Sequence, residues 1–445
     1  MQTFQSLLQK EAHLPLTLER ILNREITVGI VGLGYVGLPL SLTFSEASVK
    51  VLGFDIDQKK INMLSLGNSY YKHISSNRLQ NAIKEKKFNA VSDFTKIGEC
   101  DVIIICVPTP LDNHLEPDLS YIVSTCKQIV EHLTPHTLIS LESTTWPGTT
   151  EEIVKPILES KGNLKVGENL YLAFSPERED PGNKHYTTKN IPKLVGGSDS
   201  KSLNLAKAFY ELGIDQVIAV QSTQVAEASK LFENIFRSVN IALVNELKII
   251  FDEMGVDVWE VIKAASTKPF GFMPFYPGPG LGGHCIPIDP FYLTWKAKEF
   301  GICTRFIELA GEINRSMPKY VVSKIQDCLN HYEKSVKGSR ILILGISYKP
   351  DLDDMRESPS LELIDLLQKK GAHVSYHDPY FPEIGHTREY EQLKGKVHQE
   401  ISQDFDCFVL ATNHTCFCKK HILSFGIPII DTRNFFPKHN LVYKS

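Results

Sequence analysis

The chain has 445 residues, 42% of them hydrophobic and 22% charged, which excludes a disordered chain and suffices for two or three globular domains. Lys and Arg number 48 and Asp and Glu 52, so the net charge is −4, and we expect neither nucleic acid nor a membrane surface as a partner. The longest apolar runs are far shorter than the ~18 residues that a membrane span needs. The nine cysteines, an odd number spread thinly, favour reduced thiols and a cytoplasmic location.

The N-terminal segment is read as an extension of the first domain. It carries charged residues, among them Lys10, Glu11 and Arg20, and lacks the apolar core of a signal peptide. Residues 1–25 therefore predict an amphipathic helix packed on that domain.

Short apolar strands alternate with helices over the first 215 residues. The strands are expected at 26–31, 50–54, 101–107, 138–142 and 170–174. Continuous apolar strands that alternate with helices predict a parallel sheet covered on both faces.

The middle of the chain is helical, and its end repeats the α/β pattern. Residues 222–254 contain neither Gly nor Pro, which predicts a helix of roughly 50 Å that joins domains. Further strands are expected at 340–344, 372–376, 407–411 and 427–430. The predicted fold is α/β, with two Rossmann-like doubly wound domains joined by a long central helix and a helical middle domain. The expected domain boundaries are 1–215, 216–331 and 332–445.

A glycine motif follows the first strand and opens a helix. It reads G-x-G-x-x-G and consists of Gly32, Leu33, Gly34, Tyr35, Val36 and Gly37. The second strand ends at Asp55, 18 residues beyond Gly37, which is the place of an acid that binds a ribose 2′-hydroxyl and repels a 2′-phosphate. We therefore predict NAD as the cofactor, although Lys60 nearby can contact phosphate. The alternative is a sheet turn that binds no nucleotide.

A second candidate site is the glycine-rich loop around Cys285. Gly282 and Gly283 precede it, so a substrate carbon can approach its thiol closely. A thiol beside an NAD site suggests addition to an aldehyde, hydride transfer to give a thioester, and hydrolysis to an acid. The alternative is a buried cysteine that acts only as a small hydrophobic residue.

Polar residues also recur along the predicted central helix. Lys230 and Asn234 are four residues apart and share one face, with Glu227 near the same stripe. A lysine near a developing oxyanion stabilises it, and an asparagine can hold a water molecule. The alternative is a stripe exposed to solvent.

A cluster of possible metal ligands occurs near the C-terminus, formed by His414, Cys416, Cys418 and His421. Zinc ligands usually come as C-x₂₋₄-C pairs on separate knuckles, and this spacing also suits a strand end followed by a basic loop. We predict no metal site.

Together these motifs resemble the nucleotide-sugar 6-dehydrogenases, over residues 26–436. The motifs are GLGYVGLPL at 32–40, VPTPLD at 107–112, ESTTWPGTT at 142–150, SPEREDPG at 175–182, KLFEN at 230–234, GPGLGGHCIPIDP at 278–290 and YKPDLDDMRES at 348–358. The resemblance implies an NAD-binding domain, a central domain that forms a homodimer, and a C-terminal domain that binds a UDP-sugar.

The resemblance also implies roles for individual residues. The implied catalytic residues are Cys285 as nucleophile, Asp289 as the carboxylate beside it, Lys230 and Asn234 at the reacting oxygen and a water, Thr144 as the holder of a catalytic water, and Glu177 in thioester hydrolysis. The implied cofactor contacts are Gly32, Gly34, Tyr35, Val36, Gly37, Asp55, Lys60, Pro108, Thr109, Thr144 and Arg356. The implied substrate contacts are Glu177, Arg178, Lys230, Asn234, Gly282, Lys349 and Arg433.

One position departs from the UDP-glucose branch of the family. That branch has a second glutamate four residues after the one that matches Glu177, whereas this chain has Pro181. The SPER…PG form is more similar to the branch that acts on UDP-N-acetylhexosamines, and IPIDPFYL is more similar to the UDP-N-acetylglucosamine enzymes. The expected reaction is a four-electron oxidation of that sugar to its uronic acid, for capsule, O-antigen or other polysaccharide synthesis.

The same residues leave alternatives open. The substrate alternatives are UDP-glucose, UDP-N-acetylgalactosamine and UDP-N-acetylmannosamine. A two-electron hydroxyacid-type dehydrogenase would use Lys230 as its acid–base residue and Cys285 structurally. A regulator that binds nucleotide sugars without catalysis is the third hypothesis.

Overall fold

A computed structural model describes residues 14–71, 74–112, 116–179, 183, 185–283 and 286–445. The chain divides into two compact units. The first comprises residues 1–233 and 298–300, and the second comprises residues 234–297 and 301–445.

The first unit is built around one large sheet. Its strands are β1 (Thr27–Val31), β2 (Lys50–Phe54), β3 (Phe88–Val91), β4 (Val102–Ile105), β5 (Leu138–Leu141), β6 (Tyr171–Phe174), β7 (Lys193–Gly197) and β8 (Val217–Val220). Its helices are α1 (Leu18–Leu22), α2 (Gly37–Glu46), α3 (Gln58–Ser65), α4 (Ser76–Lys84), α5 (Ser120–His132), α6 (Lys155–Leu158) and α7 (Ser200–Tyr210). A π-helical segment, Thr150–Val154, leads into α6. Short 3₁₀ helices lie at Phe94–Glu99 in this unit and at Glu391–Leu393 in the second.

The strand order of this sheet is β3-β2-β1-β4-β5-β6-β7-β8. Neighbouring strands are parallel except β6 and β7, which are antiparallel, with Ala173 opposite Gly197. This pairing confirms the predicted parallel sheet. Strands β1, β4, β5 and β6 are mainly apolar and almost fully buried, as expected for a sheet covered on both faces. The sequence pattern missed β3, β7 and β8, since β3 alternates in burial, β7 begins with a lysine and β8 is partly exposed.

The second unit contains a smaller parallel sheet. Its strands are β9 (Arg340–Leu344), β10 (His373–His377), β11 (Cys407–Leu410), β12 (Ile429–Asp431) and β13 (Val442–Lys444), in the order β10-β9-β11-β12-β13. Its helices are α9 (Val258–Ala265), α10 (Asp289–Glu299), α11 (Arg305–His331), α12 (Pro359–Lys369) and α13 (Lys419–Ser424), and α10 ends in the first unit. The predicted second Rossmann-like domain is therefore confirmed.

The long helix α8 spans Thr223–Glu253, close to the predicted 222–254. It begins in the first unit and continues into the second. At 1.5 Å per residue its 31 residues extend about 46 Å.

Helix α1 is the described part of the N-terminal extension. Thr17 caps it by accepting a hydrogen bond from the Arg20 N–H, and Ile21 is fully buried in the core of the first unit. The Arg20 guanidinium also pairs with Asp101 at 2.8 Å. A helix packed on the first domain is confirmed for these residues, and residues 1–13 lie outside the described part of the chain.

The described residues include no helix that is long and apolar enough to cross a membrane. All of the described cysteines are unpaired thiols.

Candidate active site

The glycine turn follows β1 at the carboxyl edge of the first sheet. Gly32 has a φ of +92°, and a side chain there would lie 2.6 Å from the Cys106 carbonyl oxygen. A side chain on Gly37 would collide with the Gly32 carbonyl. Gly34, by contrast, has open space above it. The turn therefore offers an uncovered stretch of backbone just before the N-terminus of α2, which fits a pyrophosphate.

Asp55 follows β2 and lies beside this turn. Its carboxylate accepts hydrogen bonds from the Leu33 N–H at 3.0 Å and the Asp57 N–H at 2.9 Å, and it pairs with the Lys60 ammonium at 3.2 Å. These contacts hold a largely buried carboxylate at the carboxyl edge of the sheet, one strand from the place between β1 and β4 where the strand order reverses. Open α/β sheets bind ligands at such a divergence, so the predicted ribose acid and its neighbouring base fit NAD.

Pro108 and Thr109 follow β4 at the same edge, Pro108 exposed and Thr109 buried. The Ser143 hydroxyl donates to the Val107 carbonyl at 2.7 Å and holds the loop after β5 against that segment. Thr144 is half-buried on this loop. Thr145 is buried, and its hydroxyl has no hydrogen-bond partner among the described residues.

Glu177 and Lys230 are brought together in the first unit. The Lys230 ammonium donates a hydrogen bond to the Glu177 backbone carbonyl. The Glu177 carboxylate lies 3.8 Å from the Lys193 ammonium. The predicted substrate residue Arg178 pairs instead with Glu233 on α8, at 2.7 Å. Two of the predicted catalytic residues are therefore in contact, through the Lys230 side chain and the Glu177 backbone.

The polar face of α8 is buried. The buried polar residues along it are Thr223, Glu227, Lys230, Asn234, Ser238, Asn245 and Lys248, each at most 7% exposed. Glu227 accepts hydrogen bonds from the backbone N–H groups of Gly148 at 2.6 Å and Thr150 at 2.9 Å. Burial raises the pKa of Glu227 to about 7, although these hydrogen bonds favour its charged form. The alternative of a solvent-exposed stripe is wrong.

In the second unit, Asn234 donates a hydrogen bond to the Asp289 carboxylate through its side-chain amide. The amide oxygen of Asn234 accepts from the Arg237 guanidinium. Asp289 is the first residue of α10 and only 1% exposed. The structure thus joins two more of the predicted catalytic residues.

The glycine-rich loop packs on the C-terminal sheet. A side chain on Gly278 would lie 2.5 Å from the Arg433 guanidinium, and one on Gly282 would lie 2.5 Å from Tyr348. The Arg433 Nε also donates to the Ala411 carbonyl at 2.8 Å. The predicted substrate residues Gly282 and Arg433 therefore belong to one region of the second unit, whereas Cys285 lies outside the described residues.

Lys349 and Arg356 lie on the long loop that follows β9. Lys349 is half-buried and follows Tyr348 directly. The Gly283 N–H donates to the Arg356 carbonyl at 3.0 Å, and the Arg356 guanidinium pairs with Asp354 at 2.6 Å. The loop therefore holds both predicted ligand-binding residues next to the glycine-rich loop.

His414, from the cluster weighed as a metal site, is buried between two acids of the C-terminal sheet. Its Nε2 donates to Asp378 at 3.0 Å, and its Nδ1 accepts from the Asp351 N–H at 3.0 Å. Cys416 and Cys418 are exposed. The imidazole therefore braces the loop after β9, and no metal cluster occurs among the described residues.

A doubly wound sheet with a glycine turn and a carboxylate at its divergence defines a dinucleotide-binding α/β protein. Comparison with known protein families identifies which dinucleotide-binding family the chain matches. The UDP-glucose/GDP-mannose dehydrogenase family matches through its NAD binding domain at residues 26–214, its central domain at 224–316 and its UDP binding domain at 342–438. The chain belongs to this family, and it is an NAD-dependent UDP-sugar dehydrogenase.

Individual relatives agree with this assignment. The chain is 39% identical over 358 residues to Protein CapL of Staphylococcus aureus, covering 80% of this chain and 82% of the relative. It is 36% identical over 395 residues to UDP-N-acetyl-D-glucosamine 6-dehydrogenase of Pseudomonas aeruginosa, with coverage of 88% and 92%. The solved structure of a UDP-D-ManNAc dehydrogenase from Pyrococcus horikoshii has a TM-score of 0.84 and 30% identity, with coverage of 94% and 99%.

Proposed function

We propose that this chain oxidises the C6 hydroxyl of UDP-N-acetylglucosamine to a carboxylic acid through a thioester on Cys285. The buried polar face of α8 carries this proposal, because it presents Lys230 and Asn234 in a dehydrated environment where both are already hydrogen-bonded to other predicted catalytic residues. The similarity to the Pseudomonas aeruginosa enzyme supports the choice of sugar.

The glycine turn and Asp55 would hold NAD, which would supply the hydride acceptor for both oxidation steps. The Lys230 ammonium stabilises the alkoxide that forms when the C6 hydroxyl loses its proton. The Cys285 thiolate then adds to the C6 aldehyde, and oxidation of the resulting thiohemiacetal leaves a thioester. Water attacks that carbonyl, and Glu177 accepts the proton of the water as the thiolate leaves. Asn234 and Asp289 orient this water molecule, and Thr144 helps to hold it in place.

The decisive measurement counts NADH per sugar with UDP-glucose, UDP-N-acetylglucosamine, UDP-N-acetylgalactosamine and UDP-N-acetylmannosamine. The proposal predicts the highest kcat/KM for UDP-N-acetylglucosamine and two NADH per acid formed. Cys285→Ser should lose acid formation, whereas Cys303→Ser, at an exposed thiol, should keep it. One NADH per sugar would favour the two-electron dehydrogenase. Full acid formation by Cys285→Ser would exclude the thioester.

We also propose that the chain forms a homodimer through its central region. An apolar stripe runs along α8 and is exposed, formed by Val225, Phe232, Phe236, Leu243 and Ile250. Phe232 is the most exposed of these residues, at 70%. The heptad-like spacing of the stripe suits packing of one helix against another. Phe232→Asp should give a monomer by light scattering, and Leu66→Asp, equally exposed on another surface, should not. A Phe232→Asp dimer would contradict this interface.

The unpaired thiols favour a reducing compartment, so we propose a cytoplasmic location. Cell fractionation with a compartment marker tests it.

A further inference from the structure

Glu177 lies in a cluster of charged side chains inside the first unit. Lys193 begins β7, and its ammonium pairs with Glu142 at 2.9 Å and with Glu177 at 3.8 Å. The Lys193 and Glu142 side chains are only 6% and 0% exposed. The Tyr210 hydroxyl donates to the other Glu142 oxygen at 2.6 Å, so the ion pair of Glu142 and Lys193 is fully satisfied.

Glu179 adds a third carboxyl to this cluster. Its backbone N–H donates to the Glu177 carboxylate at 2.5 Å, and its own carboxyl accepts a hydrogen bond from the Thr188 hydroxyl. Thr188, Glu177 and Lys193 line the same small cavity. Glu177 therefore has one neighbour that holds it in place and that is itself ionisable.

The cluster has too few cations for three ionised carboxylates. Among the described residues, the cations that act on Glu179 are Lys193 and Arg78, and Arg78 is committed to Glu46 at 2.6 Å. Lys193 is shared between Glu142 and Glu177, the Lys230 ammonium donates to the Glu177 backbone carbonyl, and Arg178 pairs with Glu233. Two ammonium groups therefore face three carboxyls. Neighbouring carboxyls of this kind do not all ionise at neutral pH, because burial and like charge both oppose it.

The proton belongs to Glu179. Burial, and then the charge of Glu177, raise the pKa of Glu179 to about 8. Burial raises the pKa of Glu142 as well, but Lys193 and Tyr210 both donate to its carboxylate and oppose that effect, whereas Glu177 is held by Lys193 and by the Glu179 N–H. Glu179 has only the Thr188 hydroxyl, whose hydrogen bond favours the charged form but does not outweigh burial and the charge of Glu177.

We propose that Glu179 is a positioning residue for Glu177. Its backbone N–H holds the Glu177 carboxylate, and its own carboxyl retains a proton and so keeps a further negative charge away from Glu177 during acid formation. This inference rests on the proposed role of Glu177 in thioester hydrolysis. The neutral Glu179 lets Glu177 take the proton of the attacking water. Once Glu179 ionises, a second negative charge beside Glu177 opposes the oxyanion that forms on the thioester carbon.

The test is the pH profile of kcat for acid formation, from pH 6 to pH 10, in the full-length enzyme. A group that titrates near pH 8 is about tenfold less protonated at pH 9 than at pH 7, so wild-type kcat should fall over that interval. Glu179→Gln is neutral at every pH, so its ratio of kcat at pH 9 to kcat at pH 7 should be about tenfold higher than that of the wild type. Its KM for the UDP-sugar should stay within about twofold, because the variant leaves the substrate contacts intact.

Thr188→Val provides a second variant that keeps the carboxyl. It removes the hydroxyl that favours the charged form, so the alkaline fall of kcat should move to higher pH. Glu168→Gln, at an exposed glutamate of the same unit, is the matched control and should reproduce the wild-type profile.

The outcomes separate this inference from the function on which it rests. Two NADH per acid in the wild type, with profiles of Glu179→Gln and Thr188→Val that superpose on the wild type, would overturn the inference alone. An equal loss of kcat at every pH in Glu179→Gln would also overturn it, since that is the signature of a purely structural residue. One NADH per sugar in the wild type would overturn both.

Discussion

The two sheets of this chain place an aspartate at the same position and use it differently. Asp55 follows β2 and Asp378 follows β10, and each accepts a backbone N–H from the loop after the neighbouring strand, Leu33 and Ile346 respectively. Lys60, whose side chain is one-third exposed, lies beside Asp55. Asp378 is completely buried and also accepts from His414 and the Ser347 hydroxyl.

The difference shows that an aspartate at this position in a sheet does not by itself define a ligand site. Around Asp55 the turn leaves the backbone at Gly34 open, so the carboxylate lies next to space for a ligand. Around Asp378 the donors are protein groups that tie down the loop carrying Lys349. One acid is suited to bind a ribose, and the other stabilises a loop that the ligand-binding residues depend on.

The strongest test of this contrast is Asp378→Asn. The change replaces a carboxylate that accepts hydrogen bonds from several buried neutral donors, and hydrogen bonds to a charged group contribute about 1.5–3 kcal/mol. The free energy of unfolding should fall by that order, and the KM for the UDP-sugar should rise while the KM for NAD stays constant. Urea denaturation and steady-state kinetics measure these effects. A variant as stable as the wild type would show that Asp378 does not brace the loop.

Asp55→Ala should have the second-largest effect, on cofactor binding and not on folding. Hydrogen bonds to a charged group contribute about 1.5–3 kcal/mol, so the KM for NAD should rise about 10- to 100-fold. The KM for the UDP-sugar should not change. An unchanged KM for NAD would remove the ribose role from Asp55.

The two acids should also differ in their response to acid pH. Burial opposes ionisation of Asp378, but hydrogen bonds from His414 and from backbone N–H groups outweigh it and lower its pKa below 3.8. A carboxylate with a lowered folded-state pKa stabilises the protein above its usual value and loses that contribution as the pH falls. Tm should therefore decline below about pH 4 more steeply in the wild type than in Asp378→Asn. Parallel curves from differential scanning calorimetry would contradict this.

The smallest effect is expected for Lys60→Met. The Lys60 ammonium is one-third exposed and pairs with Asp55 at 3.2 Å, and such pairs contribute at most about 1 kcal/mol. The KM for NAD should change less than about fivefold. A change as large as that of Asp55→Ala would mean that the lysine itself contacts the cofactor.

Much of this architecture could be predicted from the sequence. β2 and β9 were predicted to the residue because each is a short apolar run, and the continuous helix over 223–253 follows from the absence of Gly and Pro. The buried polar face of α8 could not be predicted, because periodicity shows which residues share a face but not which face is covered. Lys193 gave no signal, since its partners Glu142 and Glu177 are 51 and 16 residues away in the chain.

The antiparallel orientation of β7 relative to β6 has a consequence for the position of Lys193. β6 ends at the rim of the sheet where ligands bind, and β7 runs antiparallel to it. Lys193, the first residue of β7, therefore lies at that rim. In a parallel strand it would lie at the opposite rim. The two ends of the segment 175–192 therefore lie on one side of the sheet. Glu177, near its start, and Lys193, directly after its end, therefore reach the same rim without a helix having to cross the sheet between them, and this allows their 3.8 Å contact.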